Sequence, residues 1–456
     1  MIVPPAERDA DREEAVDMIY QEVMSKGRTS AHIPGLLRHV LGDQRVHLYG
    51  ALGRTARLLS VRLREAGIAI ESGYDRRVLD GVDNSAGFPV KPSAKVRELG
   101  NGDILLIAAG SAELVESMRE ELKGLSGDVL PRTLDGRKLT YLAQNGHCAE
   151  LTRKGEHEEL LTCISYHTKP FRCEYFKRAT EDLAAREVPQ CVRRDGSDFN
   201  SVGYLVSEWC NLRCAQCCEA VPYLNSKEAV SADEVVADLT KLVAAIRFLH
   251  RLDIVGGEPF AHRDIARIVR EVRGLPGIGY IAVFTNGTVL PSDELCDALV
   301  SKRIVVTNSD YSTSLDDNRR TKIVRTVEKL RSRGVKVVQI GDRYWFNLLV
   351  FKPNGVLGPD LRRNYSDCFL ESCRRLYRGT LYHCAVQAAG IKLGKLPRRN
   401  VLDLHRQDDE ATSAELEAFE HEEFIESCRS CPLPAGPAEV VAARQLDPEE
   451  VRAFAR

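Results

Sequence analysis

The strongest constraint on the fold is a regular alternation of two patterns between residues 199 and 341. Short apolar runs ending in polar residues or glycine alternate with segments whose apolar residues lie three or four positions apart. The first pattern predicts buried strands and the second predicts amphipathic helices. Repeated right-handed strand–helix units favour an α/β barrel or partial barrel, whose active site lies at the carboxyl ends of the strands. The strand-forming runs are SVGYLVSEW, FLHRLDIVGG, IGYIAVFTNG, RIVVTNSDY and VKVVQIG.

A shorter alternation of the same kind occupies the first part of the chain. RVHLYG, IAIESGYDRR and GDILLIAAGS predict strands, whereas ARLLSVRLREAG and SAELVESMREELKGL predict helices. Together they favour a small, doubly wound, Rossmann-like parallel sheet. The turn from Gly50 to Ala56 resembles a dinucleotide-binding fingerprint, but Leu52 stands between its glycines and crowds the backbone approach that a pyrophosphate needs. We expect a structural module with a degenerate fingerprint and no tightly bound nucleotide.

These patterns predict an α/β chain of four parts. Residues 1–127 form the Rossmann-like domain, and residues 128–198 form a connector in which GRKLTYLAQNG suggests a strand and YFKRATEDLAAREV a helix. Residues 199–360 form the barrel-like core, and residues 361–456 form a cysteine-rich C-terminal domain.

Composition excludes several classes of protein. The 64 lysines and arginines nearly balance 66 aspartates and glutamates, leaving a formal net charge of -2, so neither a nucleic-acid nor a membrane partner is expected. The N-terminus is too acidic for a transit peptide and lacks the apolar stretch of a signal peptide, and no run approaches a membrane-spanning length. We therefore expect a cytoplasmic protein, whose 14 cysteines need an explanation other than disulfide bonds.

The cysteines fall into scattered and clustered sets. Scattered cysteines are ordinarily buried as small apolar residues, and five are of this kind: Cys148, Cys163, Cys173, Cys191 and Cys296. Close spacing instead indicates metal ligation. The two clustered groups are Cys210, Cys214, Cys217 and Cys218, followed by Cys368, Cys373, Cys384, Cys428 and Cys431.

The first cluster lies directly after the first strand of the core. Three thiolates at Cys210, Cys214 and Cys217 can hold three irons of a 4Fe-4S cluster and leave the fourth iron open, with Cys218 as a neighbour. A thioredoxin-like pair leaves Cys210 unexplained, and covalent haem attachment needs a CxxCH sequence that is absent. A structural zinc site is the other use of the same thiolates.

These residues, with Gly256-Gly257-Glu258-Pro259 at the end of the second strand, match the CxxxCxxC and GGEP motifs of the radical S-adenosylmethionine (radical SAM) superfamily. The resemblance implies a partial (β/α)6 barrel, S-adenosylmethionine on the open iron, and cleavage to a 5′-deoxyadenosyl radical by an electron from a flavodoxin- or ferredoxin-type donor. It assigns the methionine ammonium to Gly256, Gly257 and Glu258. Asn286 and Ser309 become candidates for the ribose and carboxylate.

One position departs from the superfamily pattern. An aromatic residue often precedes the third cysteine, whereas this chain has Gln216. The departure puts the stacking of the adenine in doubt and leaves the cluster unaffected.

The second cysteine group resembles the twitch or SPASM extension of the superfamily, which implies an auxiliary 4Fe-4S cluster. Its first part reads as a β-hairpin turning at Gly379, with Leu381 and Tyr382 on the returning strand. Five cysteines are offered for four ligand positions, and the choice between Cys368 and Cys373 stays open. A tetrahedral zinc held by the same thiolates is the alternative. The candidate ligands are Cys368, Cys373, Cys384, Cys428 and Cys431.

The overall plan is similar to that of radical enzymes that oxidise or dehydrate polyols in aminoglycoside biosynthesis, such as the diol dehydratase of the apramycin pathway. This resemblance implies an aminosugar substrate, a dehydration or dehydrogenation, and a separate NAD(P)H-dependent reductase. Glu208, Asp310 and Tyr311 stand near strand ends and are candidates for the proton transfer, although a surface-capping role is also open for each. The alternatives are a ribosomal-peptide maturase and a non-catalytic scaffold. Whether the chain forms a homodimer is left open.

Overall fold

A computed structural model describes most of the chain in two compact units, Met1–Phe176 and Lys177–Arg456. In the described part of the chain, no helix combines the length and apolar character needed to cross a bilayer. The described residues are 14, 16–21, 23, 33–100, 102–109, 112–126, 132–154, 174–188, 196–224, 228–341, 344–368, 370, 373–406, 409–433, 438–447 and 449–451.

The first unit is built on a five-stranded sheet in the order β3-β2-β1-β4-β5, with every neighbouring pair parallel. Its alternating strands and helices confirm the α/β prediction for this part of the chain. The strands are β1 (Arg45–Tyr49), β2 (Ile70–Asp75), β3 (Val90–Pro92), β4 (Asp103–Ile107) and β5 (Arg132–Asp135). The helices are α1 (Ile33–Leu41), α2 (Arg54–Glu65), α3 (Ala112–Ser126) and α4 (Gly136–Lys154).

One element of this unit differs from the sequence prediction. GRKLTYLAQNG was expected as a strand of a connector, yet it begins helix α4, which packs against α1 and α2. Leu139, Leu142 and Ala143 lie three and four positions apart and are buried in the core of the unit, so helical periodicity is satisfied. Because β5 also pairs with β4, the first unit extends beyond the predicted boundary at residue 127.

The second unit contains an eight-stranded sheet in the order β10-β9-β8-β7-β6-β12-β13-β14. Strands β6 to β10 are parallel neighbours in chain order, which confirms the strand–helix alternation predicted for the core. They are β6 (Asp198–Leu205), β7 (Phe248–Val255), β8 (Ile278–Thr285), β9 (Ile304–Ser309) and β10 (Val337–Ile340). The helices are α5 (Glu174–Glu187), α6 (Ala232–Ala245), α7 (Ile265–Gly274), α8 (Asp293–Leu299) and α9 (Asp317–Ser332).

The described residues add no sixth strand after β10. Instead β11 (Tyr344–Phe346) pairs antiparallel with β15 (Glu439–Val441) in a separate two-stranded sheet. On the opposite edge, β12 (Arg374–Tyr377) lies parallel to β6 and continues into the antiparallel β13 (Thr380–Tyr382) and β14 (Val401–Asp403). The remaining helices are α10 (Gly358–Asp367), α11 (Ala385–Lys392) and α12 (Asp409–Glu420).

The turn between β12 and β13 is the predicted hairpin. Arg378 and Gly379 have φ values of 48° and 70°, the left-handed pair that a two-residue type I′ turn requires. Gly379 is needed for a second reason, because a Cβ atom there would approach the His405 ring to 2.6 Å.

Candidate metal centre and active site

The loop that follows β6 brings three cysteines into one cluster. Cys210, Cys214 and Cys217 pack together with Leu212 and Leu315. Short turns fold the loop, since Cys217 N–H donates to Cys214 O at 3.2 Å and Ala220 N–H donates to Cys217 O at 2.8 Å. The structure therefore gathers the three predicted ligands at the carboxyl end of the first core strand.

Three N–H donors lie against two of these sulfur atoms. Cys210 Sγ receives Leu212 N–H at 3.4 Å and Asn286 Nδ2 at 3.7 Å, and Cys214 Sγ receives Gln445 Nε2 at 3.3 Å. Such donors favour the thiolate form and tune the potential of a cluster that the thiolates hold. Gln445 lies far from the motif in the sequence, and nothing in its local pattern indicated this role.

The thiols are protonated at neutral pH when no metal is bound. Burial raises the pKa of Cys210 to about 11 and that of Cys214 and Cys217 to about 12. Metal binding must therefore release protons. Three soft, nearly dry sulfur donors with N–H partners fit an iron–sulfur cluster.

The two glycines of the GGEP motif are required by the cysteine loop. Gly256 has a φ of 134°, and Cβ atoms at Gly256 and Gly257 would lie 2.6 Å from Ser207 O and 1.7 Å from Trp209 O. Gly257 N–H donates to Ser207 O at 2.7 Å. The end of β7 and the cysteine loop are thus in backbone contact that no larger residue permits.

Glu258 ties the end of β7 to the end of β8. Its Oε1 accepts hydrogen bonds from Phe260 N–H at 3.0 Å and Thr285 Oγ1 at 2.7 Å, and its Oε2 accepts Asn286 N–H at 2.8 Å. The residue is 1% exposed, and burial raises its pKa to about 7 despite these donors. The carboxylate predicted to meet the methionine ammonium therefore also braces the strand that carries Asn286.

Asn286 extends this brace to the cysteine loop. Its Nδ2 donates to Asn211 Oδ1 at 3.0 Å as well as to Cys210 Sγ, and its Oδ1 accepts Thr288 N–H at 2.9 Å. Ser309, the other predicted cofactor contact, is the last residue of β9 and is partly exposed. Both predicted residues lie at carboxyl strand ends, as expected.

Comparison with known proteins bears on the same segment. The family model described as the Radical SAM superfamily matches residues 204–351, which span β6 to β10 and include the cysteine loop. Residues 204–351 form a radical SAM domain. The remainder of the chain lies outside this match.

Curated relatives align with only part of the chain. The GTP 3′,8-cyclase of Pelotomaculum thermopropionicum is 35% identical over 97 residues, covering 21% of this chain and 29% of the relative. The GTP 3′,8-cyclase of Clostridium acetobutylicum is 27% identical over 157 residues, covering 33% and 48%. The chain thus spans less than half the length of these relatives.

Solved structures show only weak global similarity. Streptococcus suis SuiB bound to S-adenosylmethionine gives a TM-score of 0.27 at 17% identity, covering 45% of this chain and 46% of SuiB. BtrN in complex with AdoMet and 2-DOIA gives a TM-score of 0.31 at 13% identity, covering 51% and 92%.

All three residues predicted to transfer protons have polar partners, and the Tyr311 side chain is hydrogen-bonded to that of Ser309. Glu208 is buried and its Oε1 lies 2.9 Å from Lys392 Nζ. Asp310 Oδ1 accepts Ser312 N–H at 2.9 Å and so caps a short turn.

The third such residue, Tyr311, packs with the cluster cysteines and meets Trp345 edge-on at 5.2 Å between ring centroids. Burial raises its pKa well above the ordinary value. Of the three, only Tyr311 lies against the cysteine cluster.

The C-terminal cysteines also come together. Cys384, Cys431 and Cys373 act electrostatically on Cys368, Cys373 acts on Cys384, and Cys384 acts on Cys428 and Cys431. Asn354 Nδ2 fastens the CxxC turn by donating to Cys428 O at 2.8 Å and Cys431 O at 3.0 Å. Burial raises the pKa of Cys428 and Cys431 to about 12.

Cys373 has a different environment. Apart from burial, the groups that act most strongly on the pKa of its thiol are Arg375, Asp253 and Arg251, which belong to the strands. It stands at the edge of the C-terminal group and beside the sheet.

No cysteine trio among the described residues is as closely spaced as the ligands of a bound zinc ion. Zinc–sulfur bonds of about 2.3 Å place tetrahedral ligands ~3.8 Å apart. Among the described residues, the only three ligand atoms that lie within 4.8 Å of one another belong to Glu181, Asp198 and His250, and no cysteine trio is this close.

A cavity of about 340 Å³ opens beside the cysteine loop. It is lined by Trp209, Cys210, Leu212, Arg213, Val221, Pro222 and Val451. Cys210 is the cluster residue that borders it.

The remaining sequence predictions concern single residues. Cys148 and Cys296 are 3% and 0% exposed, which confirms that they are buried, whereas Cys163, Cys173 and Cys191 lie outside the described residues. Gln216 is half-buried, and no described residue is hydrogen-bonded to its buried Oε1.

The backbone N–H groups of the degenerate turn in the first unit donate hydrogen bonds within the unit. Gly50 and Ala51 N–H donate to Tyr74 O, Gly53 N–H donates to Gly50 O, and Leu52 N–H donates to Asp75 Oδ2 at 3.0 Å. The same Asp75 carboxylate binds the Arg77 side chain at 2.7 Å. These internal bonds occupy the amides that a pyrophosphate would need.

Proposed function

We propose that the chain is a radical SAM enzyme that abstracts hydrogen from an aminosugar or related polyol, leading to diol dehydration in aminoglycoside biosynthesis. The observation that carries the proposal is the cysteine loop itself. One buried and two half-buried cysteines pack together at the carboxyl end of β6, on a loop whose backbone contacts Gly256 and Gly257. The match of residues 204–351 to the superfamily model supports the same class of chemistry.

The residues of the loop have separable roles in this proposal. Cys210, Cys214 and Cys217 would hold a 4Fe-4S cluster, and the N–H donors of Asn286 and Gln445 would stabilise the thiolates. When bound, the cluster and S-adenosylmethionine supply a 5′-deoxyadenosyl radical. The hydrogen-bonded brace through Glu258 holds the β7 and β8 ends in fixed positions, which orients the groups that would meet the cofactor.

The C-terminal cysteines would hold the auxiliary cluster. The thiols of Cys368, Cys384, Cys428 and Cys431 act on one another electrostatically. Cys373 acts on both Cys368 and Cys384 and also faces the charges of Arg375, Asp253 and Arg251. An iron–sulfur cluster is proposed in preference to a tetrahedral zinc because the cysteine pattern resembles the twitch or SPASM extension. Five cysteines therefore remain available for four ligand positions, and the choice between Cys368 and Cys373 stays open.

Two features support a polyol substrate. The first unit is a parallel α/β sheet rather than a winged-helix peptide-recognition domain, and the C-terminal cysteines suffice for one auxiliary cluster. A ribosomal-peptide maturase is the competing function that the same radical chemistry could serve. Tyr311, beside the cysteine loop, is the described candidate for a proton donor or acceptor.

Isotope transfer tests the proposal. Anaerobically reconstituted enzyme should form 5′-deoxyadenosine faster when an aminosugar such as a pseudodisaccharide is supplied with a strong reductant. Deuterium on the attacked carbinol carbon should appear in 5′-deoxyadenosine by mass spectrometry, because the radical takes that hydrogen directly. Label transfer from a leader-bearing peptide, with none from a panel of aminoglycoside intermediates, would replace this function by the peptide maturase.

A further inference from the structure

The core sheet has an apolar face and a charged face. Val202, Tyr204, Leu252 and Ile254 belong to the hydrophobic core that includes the helices. Since successive side chains of a strand point to opposite faces, Arg251 and Asp253 of β7 lie on the other face. Strand pairing continues this row, because Asp253 is in register with Gly203, and Gly203 with Arg375 of β12.

Two arginine–carboxylate pairs occupy this face. Arg251 Nε lies 2.5 Å from Asp253 Oδ1, and Arg375 Nε lies 2.8 Å from Glu219 Oε1. The four side chains are only 7% to 13% exposed. Gly203 makes room for the second pair, because a Cβ atom there would lie 2.8 Å from Arg375 Nη1.

Neither pair uses all of its hydrogen-bonding atoms within the described part of the chain. Glu219 Oε2 is fully buried, and no described residue donates a hydrogen bond to it. Arg251 binds Asp253 only through Nε among the described residues, and Asp253 Oδ2 accepts from none of them. A buried carboxylate oxygen without a donor is unfavourable in a purely structural ion pair. The pair is complete only when a donor reaches that oxygen.

Accessible space adjoins the Glu219 carboxylate. The Cys218 thiol lies 3.9 Å from Glu219 Oε1, and Cys218 is exposed although it follows the half-buried cluster cysteine Cys217. Rings border the other pair, since Arg251 lies 5.8 Å from the centroids of both Tyr280 and Phe284. Arg375 Nη1 donates to Cys373 O at 3.3 Å, so the backbone of Cys373 borders the Arg375–Glu219 pair.

We propose that the Arg375–Glu219 and Arg251–Asp253 pairs form the substrate subsite and bind the hydroxyl and amino groups of a polyol, with Glu219 Oε2 as the acceptor for one donor group. This rests on the proposed function. Each pair offers donors and acceptors side by side, which is what vicinal hydroxyl and amino groups require. A polyphosphate fits poorly, because a carboxylate beside each arginine repels it.

The test compares conservative variants in the reconstituted holoenzyme. Glu219→Gln and Asp253→Asn keep side-chain size and remove the charge. Each should raise KM and the dissociation constant of a pseudodisaccharide by about tenfold or more, because each weakens a hydrogen bond to a charged group. Binding is followed by equilibrium dialysis of the labelled sugar, and 5′-deoxyadenosine by mass spectrometry.

Asp238→Asn is the matched control. Asp238 is a buried carboxylate bonded to Tyr204, on the opposite face of the sheet, and its replacement should leave both constants unchanged. Thermal unfolding of each variant shows whether it is folded. If Glu219→Gln does not fold, Asp253→Asn decides the outcome alone.

The outcomes separate the subsite from the function. If the wild-type enzyme responds to the sugar and folded Glu219→Gln and Asp253→Asn bind it as tightly, the subsite is wrong and the proposed function stands. If the wild-type enzyme responds to no sugar and binds GTP or a peptide instead, the proposed function is wrong and the subsite falls with it. A selective loss of sugar binding in the two variants supports both.

Discussion

At the residue scale, the cysteine loop depends on partners that are distant in the sequence. Asn286 and Gln445 both donate side-chain N–H groups to its sulfur atoms. The thiols themselves were predictable because their spacing is local. Gln445 was not, because its approach to Cys214 is produced by the fold of the C-terminal segment, which no local pattern encodes.

Removing the Gln445 donor should lower the reduction potential of the cluster. Gln445→Leu loses one N–H···S bond, and about 0.5–1.5 kcal/mol corresponds to a shift of roughly 20–60 mV for one electron. Because the donor stabilises the more negative, reduced cluster, the shift is to more negative potential. An EPR-monitored redox titration measures it. Gln339→Leu, an exposed glutamine of β10, is the control, and an equal potential for both variants would contradict the assignment.

Glu258 should matter to stability before any cofactor binds. In Glu258→Gln, an amide NH2 group must replace one of the two oxygens that accept N–H and O–H donors. We expect a loss of about 1–3 kcal/mol in the free energy of unfolding, measured by denaturant titration of the metal-free protein. Glu228→Gln, at an exposed position, is the control. Equal free energies of unfolding for the two variants would contradict a stabilising role for the Glu258 hydrogen bonds.

At the element scale, strands were easier to predict than the helix after β5. The core strands and the hairpin at Gly379 have local signals, namely bounded apolar runs and a turn glycine. The start of α4 has no such local signal, because a short apolar run fits either a strand or a buried helix. The segment is helical because its apolar residues are buried in the core of the first unit.

Truncation tests the boundary of the first unit. A fragment of residues 1–127 lacks β5 and α4, including the buried Leu139 and Leu142, whose burial is worth about 1.5–3 kcal/mol each. We expect this fragment to be unfolded and the fragment 1–176 to be folded by circular dichroism. The folded fragment should not bind NAD, because the turn amides are occupied. Micromolar NAD binding by calorimetry would overturn the structural interpretation of the turn.

The strands of the first unit carry an acid-sensitive network. His47 Nδ1 lies 2.9 Å from Ser72 Oγ and His47 Nε2 lies 3.0 Å from Asp103 Oδ1. Burial lowers the pKa of His47 below its ordinary value of 6.5 although Asp103 opposes the shift. A lowered histidine pKa means that the unfolded chain binds the proton more readily. The contribution of His47 is therefore complete above pH 6.5 and is lost as the pH falls below it.

Hydrogen exchange of β1 and β4 should be constant above pH 6.5 and should show this loss as the pH falls from 6.5 to about 5, after correction for the intrinsic pH dependence of exchange. His47→Gln should flatten the profile because glutamine does not titrate. A wild-type profile as flat as that of the variant would exclude His47 as the source.

At the scale of the whole molecule, the account requires two separate iron–sulfur sites in the second unit. The Arg375–Glu219 pair on the charged face of the sheet could not be predicted from the sequence, because the fold brings together residues 156 positions apart. The cysteine groups could be predicted, because the first is a compact CxxxCxxC motif and the second joins a cysteine-bearing hairpin to a later CxxC motif. Anaerobically reconstituted protein should hold more iron and sulfide than one cubane, by colorimetric analysis.

Cysteine variants should separate the two sites. Replacing Cys210, Cys214 and Cys217 together by alanine should remove one cluster and leave the C-terminal one, because each site has its own thiolates. Cys428→Ala with Cys431→Ala is the matched control for loss of the other cluster. If either variant loses all of its iron, the two sites do not bind their clusters independently.

The most direct test of the central claim is 5′-deoxyadenosine formation from S-adenosylmethionine by the triple variant Cys210→Ala, Cys214→Ala, Cys217→Ala. With a strong reductant and no oxygen, the wild-type protein should form the nucleoside, and the triple variant should form none while still holding its C-terminal iron. If the triple variant cleaves S-adenosylmethionine at the wild-type rate, these cysteines do not hold the catalytic cluster, and the account is wrong.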